Sequence, residues 1–468
     1  MTDVTTGAMQ QIGIPTGPYA AGQRGVAGLV LLYAEEYSKL PGAWTLSKPR
    51  TVLGRDDTAD LCLPIAAVSR THAEIAWDEC RWVVRDLGSR NGTLLDGHPI
   101  THAVLERGAE LRIGDGVFKF LDHEVSDYGA YTIDGNVSGQ NRLVEDSDLI
   151  GGWQMDRIAA DLTRVAPTNI SVMLLGESGT GKEVAARELH RASGRKGAFH
   201  AINCAAIPAT LLESELFGYK RGAFSGADRD KPGLIRMADQ GTLLLDEIGD
   251  MSLEAQAKLL RVLQSREVYP LGATSPERVD LRVVCATHRD LQRLIQTEKF
   301  REDLYARLNE YQLRLPPLRD RKEDVFQLSR EFLRRHGQPG IKLTFGFVLG
   351  LVNYDWPYNV RELEGCIKRC IALADGLTVE ESLLPEPIRE LMVDYGRRLT
   401  RSEPQLNNNS LENVRASRSS APTDADLRSL LEKHQGNVAA VGRELGKARM
   451  QVHRWMERYG IVVDEFRG

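Results

Sequence analysis

The sequence predicts a multidomain chain with three parts. An all-β sandwich comes first, then an α/β phosphate-loop domain with a helical subdomain, then a small all-α helix-turn-helix. Three textures carry this reading. Residues 25–121 are short apolar runs punctuated by Gly, Asp and Asn, residues 147–388 interleave buried-strand runs with amphipathic helices, and the last segment is helical and short.

The sandwich rests on LVLLYA, RTVLGR, THAEIAW, RWVVRDL, TLLDG, AELRIG and GVFKFL, separated by turn residues. Ahead of it, residues 1–24 are rich in Gly, Thr, Pro and Gln and are expected to be flexible. A polar stretch over 122–146 reads as a linker. Within 147–388, ISVMLLG, GTLLLDE and LRVVCAT alternate with EVAARELHRASG and EAQAKLLRVLQS, so a mainly parallel sheet with helices on both faces is expected. Residues 389–421 drift into Ser, Asn and Arg and read as a second linker, leaving 422–468 as the terminal domain.

The composition, 42% apolar and 27% charged over 468 residues, is that of an ordinary globular protein. With a net charge of −5, any nucleic-acid contact must come from a local basic surface. No apolar run approaches the roughly 20 residues of a spanning helix. The start, MTDVTTGAMQ, lacks the basic and apolar regions of a signal peptide, so a cytoplasmic protein with no membrane partner is expected. Of the six cysteines only Cys366 and Cys370 are close, without metal-ligand spacing, and buried free thiols are expected.

The run Gly176-Glu177-Ser178-Gly179-Thr180-Gly181-Lys182 follows a strand and opens a helix. Glycines there let backbone N–H groups converge on phosphate oxygens, and Lys182 adds a point charge for the β- and γ-phosphates of ATP. Glu183 stands where most such loops carry a magnesium-binding Ser or Thr. Further on, the apolar strand Gly241-Thr-Leu-Leu-Leu ends in Asp246 and Glu247. Two carboxylates at a buried strand end need a cation, so Asp246 is the candidate Mg2+ ligand and Glu247 the candidate for polarising the attacking water. Thr287 ends a third strand, and Arg301 and Arg307 follow on a helical stretch.

These residues resemble the AAA+ domain of bacterial σ54-dependent enhancer-binding proteins across 147–388. GESGTGKE at 176–183 is the form that family uses, Glu183 included, and Gly222-Ala223-Phe224-Ser225-Gly226-Ala227 looks like its GAFTGA loop. The resemblance implies that Asn203 restrains Glu247, that Thr287 senses the γ-phosphate, and that Arg361 in WPYNVRELEG is a second sensor. It also implies that Arg301 and Arg307 are arginine fingers acting across a ring, a hexamer, and that residues 222–227 touch σ54 in the RNA polymerase holoenzyme. Ser225 replaces Thr, His288 stands where Asn is usual, and Tyr358 where Gly is usual.

Within the sandwich, Gly54-Arg55, Ser69-Arg70-Thr-His72 and Asp86-Leu-Gly-Ser-Arg-Asn91-Gly-Thr93 lie at loops between strands. Arg55, Ser69 and Arg70 suit a phosphothreonine, which carries about −1.5 to −2 charges and three acceptor oxygens. The three submotifs resemble a forkhead-associated (FHA) domain. By that resemblance His72 braces the loop and Asn91 holds the peptide backbone of a phosphothreonine protein modified by a Ser/Thr kinase.

At the end, Asp424–His434, Gly436–Leu445 and Ala448–Tyr459 have helical patterning. Five basic residues face only Glu444 and Glu457 over 443–459. The segment looks like the family's Fis-type helix-turn-helix, with Lys447, Arg449, Gln451, His453 and Arg454 as candidate contacts to double-stranded DNA upstream of a promoter. The combined reading is a σ54-dependent activator that remodels the closed promoter complex by ATP hydrolysis. No receiver-like acidic pocket precedes the ATPase, so a two-component-like input through phosphopeptide binding is expected. The alternatives are a phosphopeptide adaptor with an inert ATPase, and an AAA+ ATPase acting on a different DNA-bound partner.

Overall fold

Short apolar strands separated by turns fold residues 28–121 into two packed sheets. The computed structural model describes residues 26–135, 137, 147, 149–337, 340–396, 422, 424–434, 438–445, 452, 455–456, 459–461 and 466. They fall into two compact units, Met1–Leu399 and Thr400–Gly468.

The strands of the first sheets are β1 (Gly28–Tyr33), β2 (Ala43–Thr45), β3 (Arg50–Gly54), β4 (Leu61–Cys62), β5 (Ala73–Asp78), β6 (Arg81–Asp86), β7 (Thr93–Leu95), β8 (His98–Ile100), β9 (His102–Leu105), β10 (Glu110–Ile113) and β11 (Gly116–Leu121). One sheet has the order β2-β1-β11-β10-β7-β8 and the other β4-β3-β5-β6-β9. Leu29, Leu31, Phe118 and Phe120 are fully buried between them. Every residue of β1 and β11 is buried, which means that their outer face is covered as well. Part of the cover comes from residues expected as linker, for Val125 and Tyr128 pack on Val30 and Leu121 beside Trp153. The free thiols include an exception to the expected burial. Cys80 is exposed, at φ 62 in the tight turn between β5 and β6.

The second domain of this unit is built on five parallel strands, β12 (Val172–Leu175), β13 (Phe199–Asn203), β14 (Thr242–Asp246), β15 (Arg282–Thr287) and β16 (Tyr311–Arg314), in the order β13-β14-β15-β12-β16. Helices α1 (Trp153–Val165) and α2 (Lys182–Ser193) pack on one core, and α3 (Leu253–Ser265) and α4 (Glu302–Leu308) on another. A helical subdomain follows: α5 (Asp324–His336), α6 (Phe345–Asn353), α7 (Asn359–Leu373) and α8 (Glu386–Val393) around Phe347, Trp356, Leu363 and Ile367. Helix α8 runs past position 388, where a linker was expected to begin. Among the described residues no helix is long and apolar enough to cross a membrane.

The helical subdomain covers the outer face of the sandwich. Tyr33 and Tyr37 pack on Phe326 with ring centroids 4.9 and 5.0 Å apart, and Arg112 lies 5.1 Å over Phe345. Tyr395 donates to Glu110 at 2.7 Å, and burial holds the Glu110 carboxyl above its ordinary range. Lys119 pairs with Glu323, both under a tenth exposed, and also donates to the Asp320 carbonyl at 3.4 Å. In the second unit α9 (Asp424–Lys433) and α10 (Val438–Leu445) share a core with Val452, Trp455, Met456 and Ile461.

Breaking a buried ion pair leaves one charge without compensation, so Glu323→Leu should destabilise the first unit by about 3–5 kcal/mol. Adding Lys119→Met should recover most of that loss. Urea unfolding of the two variants checks both outcomes, and equal stability of wild type and Glu323→Leu would refute the pairing as described.

Candidate functional site

Strand register assembles the candidate site. Asn203 is paired with Asp246 across β13 and β14, and Leu175 with Thr287 across β12 and β15, so the carboxyl ends of four strands deliver their polar tips together. In open α/β sheets that edge is where ligands bind. The phosphate loop leaves β12 there and enters α2 at Lys182.

The Gly176 N–H donates to the Thr287 carbonyl at 3.3 Å, and the Thr180 hydroxyl donates to the Glu177 carbonyl at 2.9 Å. The Lys182 ammonium donates to the carbonyls of Gly176 and Glu177 at 2.9 and 3.0 Å and lies 3.7 Å from Glu247. Gly179 has φ 79, and a Cβ there would lie 2.1 Å from the Tyr358 carbonyl oxygen, so this position requires glycine. Glu183 is exposed and paired with Arg187 one turn on.

Burial, and then the neighbouring Glu247 charge, push the Asp246 carboxyl above its ordinary range. Two close carboxylates under that stress fit a divalent cation, which phosphate-loop enzymes hold with one or two carboxylates, substrate phosphates and water. Among the described residues no group of three or more His, Cys, Asp or Glu is arranged as a metal cage. Asn203 donates to Asp246 at 3.2 Å, while its carbonyl oxygen accepts from the N–H groups of Ala205 and Ala206. Glu247 is held elsewhere, 2.7 Å from His288 Nδ1. The restraint expected of Asn203 on Glu247 is thus absent among the described contacts, because register sets Asn203 opposite Asp246.

The helical subdomain closes over the loop. Asn359, fully buried at φ 56, donates to Glu177 at 3.2 Å and to the Ser178 carbonyl at 3.0 Å, and its oxygen accepts from Leu318 N–H. Arg319 grips both Glu177 oxygens at 2.5 and 2.8 Å, which holds that carboxyl below its ordinary range. Buried Arg321 donates to the Thr180 carbonyl at 3.1 Å, and Arg361 to the Ser178 hydroxyl at 3.2 Å. Between loop and subdomain lies a cavity of about 340 Å3, lined by Ile150, Val184, Phe332 and Val360 and by Thr180 and Gly181. Its apolar walls suit a flat base.

Arg301 and Arg307 are exposed. Arg301 caps the start of α4 and pairs with Asp303 at 2.7 Å, Arg307 pairs with Glu310 at 3.5 Å, and neither bonds to the phosphate loop. Buried Gln256 accepts from Arg301 N–H at 2.8 Å and so fixes where that arginine begins. Residues 222–227 form the tip of a hairpin between Gly218–Tyr219 and Lys231–Pro232. The tip is closed by Gly222 N–H to Ala227 carbonyl at 2.9 Å. Phe224 is 46% exposed and meets Tyr219 edge-on, while Ser225 is exposed, Ala223 half-buried and Ala227 buried.

In the sandwich, Arg55, Arg70 and Asn91 are exposed around half-buried Ser69. Arg55 donates to the Ala66 carbonyl at 3.0 Å, Asn91 to the Ala67 carbonyl at 2.7 Å, and the Ser69 oxygen accepts from Arg90 N–H at 3.1 Å. His72 is buried beneath them, its Nδ1 accepting from Ser69 N–H at 3.1 Å and its Nε2 3.1 Å from the Gly92 carbonyl. The five candidate DNA contacts, Lys447, Arg449, Gln451, His453 and Arg454, lie outside the described residues.

Comparison with known proteins gives three domain matches: a σ54 interaction domain over 150–314, an FHA domain over 51–114 and an AAA+ ATPase lid domain over 319–397. The transcriptional regulatory protein GlrR of Escherichia coli K12 is 35% identical over 75% of this chain and 78% of its own. The chain belongs to the family of σ54-dependent transcriptional regulators. AtoC of the same organism, a regulatory protein, is 40% identical over 65% of this chain and 66% of its own. Brucella abortus NtrX, crystallised with ATP, matches at 30% identity and TM-score 0.48, over 67% of this chain and 70% of that one. The chain spans only 52% of another curated regulator that it matches.

In this family member the lid residues Asn359, Arg319 and Arg321 and the support residue Gln256 went unassigned in the sequence. Asn359 lay inside the quoted WPYNVRELEG run, whereas nothing local marks Arg319, Arg321 or Gln256. The FHA domain yields a pH test. Burial holds His72 below its ordinary 6.5, and only the neutral ring accepts from Ser69. A depressed histidine contributes stability above pH 6.5 that is lost as pH falls through its folded value. The stability advantage of wild type over His72→Asn should therefore be largest above pH 6.5 and shrink below it, as thermal unfolding across pH 5–8 would measure. A constant difference would rule this out.

Proposed function

We propose that this chain is a σ54-dependent transcription activator that binds upstream DNA and remodels the closed σ54 RNA polymerase complex by hydrolysing ATP. The observation that carries the reading is the loop at 176–182, clamped by the lid and set beside Asp246 and Glu247. Lys182 and the loop N–H groups bind the phosphates, and the apolar cavity beside Gly181 takes the base. Glu247 polarises the attacking water. Asp246 would hold Mg2+, which when bound screens the phosphate charge. Thr287 and Arg361 report on the nucleotide from the strand end and the lid.

Arg301 and Arg307, exposed and far in bonding terms from their own loop, are read as fingers for a neighbouring subunit in a hexameric ring. Such an arginine is worth about 10³–10⁵ in rate. The exposed Phe224 and Ser225 tip is read as the σ54 contact, and the terminal domain as the DNA reader. Regulation enters through phosphothreonine at Arg55, Ser69, Arg70 and Asn91. The site is supported from within by His72, and the domain's outer face rests on the lid through Lys119 and Tyr33.

Glu247→Gln in the full chain should keep nucleotide affinity and lose nearly all turnover, read by nucleotide binding and phosphate release side by side. Undiminished turnover would remove Glu247 from its role. For the sensor, calorimetry of the full chain with library-selected phosphothreonine peptides should show Arg55→Ala binding about 10–150-fold more weakly, the loss of one charge-assisted bond. Equal binding of phosphorylated and unphosphorylated peptides by wild type would end the sensor reading while leaving the ATPase untouched.

A further inference from the structure

Glu247 is held by a histidine. Its backbone sits at φ 51, and its carboxylate is only 13% exposed, so solvent does little to average its orientation. Oxygen Oε2 accepts from His288 main-chain N–H at 3.3 Å and lies 2.7 Å from His288 Nδ1. Oxygen Oε1 is on the other side, 3.7 Å from Lys182 Nζ. Asn203 is placed differently, donating to Asp246 and accepting from the Ala205 and Ala206 N–H groups.

We infer that His288 is a positioning residue for hydrolysis: it pins one oxygen of Glu247 so that the other stays turned toward Lys182, where the terminal phosphates and the attacking water meet. The inference rests on the proposed role of Glu247 as the water-polarising carboxylate. Both contacts from one residue converge on Oε2 and so hold that oxygen in place. The bond at Oε2 leaves the lone pairs of Oε1 for water. A base displaced by about 1 Å can cost roughly a hundredfold in rate. His288 follows the sensor strand β15 directly, so a shift of Thr287 at the strand end is passed to the base through a single residue.

The test compares the full chain with His288→Ala, His288→Asn, Glu247→Gln and the double variant Glu247→Gln/His288→Ala, reading steady-state ATP hydrolysis and, separately, binding of a fluorescent ADP. His288→Ala should lower kcat about 10–100-fold, with KM and ADP affinity unchanged. His288→Asn, which keeps a side-chain donor, should recover part of kcat. In the Glu247→Gln background the alanine should cost nothing further, because there is no carboxylate to place. Unchanged kcat in His288→Ala, or the same loss in both backgrounds, overturns the inference. So does a parallel loss of ADP affinity, which marks a merely structural bond. Full turnover by Glu247→Gln alone overturns the base assignment itself, and His288 then has nothing to position. If His288→Ala does not fold, His288→Asn carries the same comparison.

Discussion

A loop whose N–H groups converge on phosphate turns its carbonyls and its acidic side chain the other way, and those groups need partners of their own. Lys182 and Thr180 of the loop take the Gly176 and Glu177 carbonyls, and the helical subdomain supplies partners for the Ser178, Gly179 and Thr180 carbonyls and the Glu177 carboxylate. Asn359 takes the Ser178 carbonyl and part of Glu177, Arg319 takes the rest of Glu177, and Arg321 takes the Thr180 carbonyl. Leaving such buried groups unpaired costs about 1–3 kcal/mol each. The nucleotide site is therefore a joint between two bodies.

The same seven residues, 318–324, face both ways. Leu318, Arg319 and Arg321 serve the phosphate loop, while the Asp320 carbonyl and Glu323 receive Lys119 from the sandwich. Asp324 accepts from Gly152 N–H at 2.7 Å, fixing the entry to α1, and burial lifts its carboxyl above its ordinary range. Beside the contacts of Tyr33 with Phe326 and of Tyr395 with Glu110, this strap joins the sandwich to the lid through the Lys119–Glu323 contact. The contact is charged and desolvated, so it favours one arrangement strongly over displaced ones.

Much of this was readable in the residues. GESGTGK after a strand gave the phosphate loop, and LLLDE gave two acids at a buried strand end, because period and context together leave few alternatives. The FHA submotifs were legible for the same reason, each needing a particular side chain in a loop. Tertiary partners were not. Arg319, Arg321 and Gln256 look like ordinary polar residues, and only tertiary partners separate them from solvated ones: the Glu177 carboxylate for half-buried Arg319, and distant carbonyls for buried Arg321 and Gln256. The stretch after 121 read as linker because its few buried residues, Val125, Tyr128 and Ile133, are too few and too unevenly spaced to make a period. One clue was present and undervalued. GLVLLY is a continuous apolar run, which a half-solvated sandwich strand has no use for.

That run has a consequence in time. Strand β1 is complete at Tyr33, but Phe326, against which Tyr33 packs, is added nearly three hundred residues later. At about 5–20 residues per second, the ribosome leaves the part of the outer face that the helical subdomain covers without that cover for roughly 15–60 s in each round of synthesis. During that interval Lys119, Arg112 and Glu110, later drawn to Glu323, Phe345 and Tyr395, place charge on that face, which opposes premature association. The residues that lock the finished molecule thus also guard the nascent one.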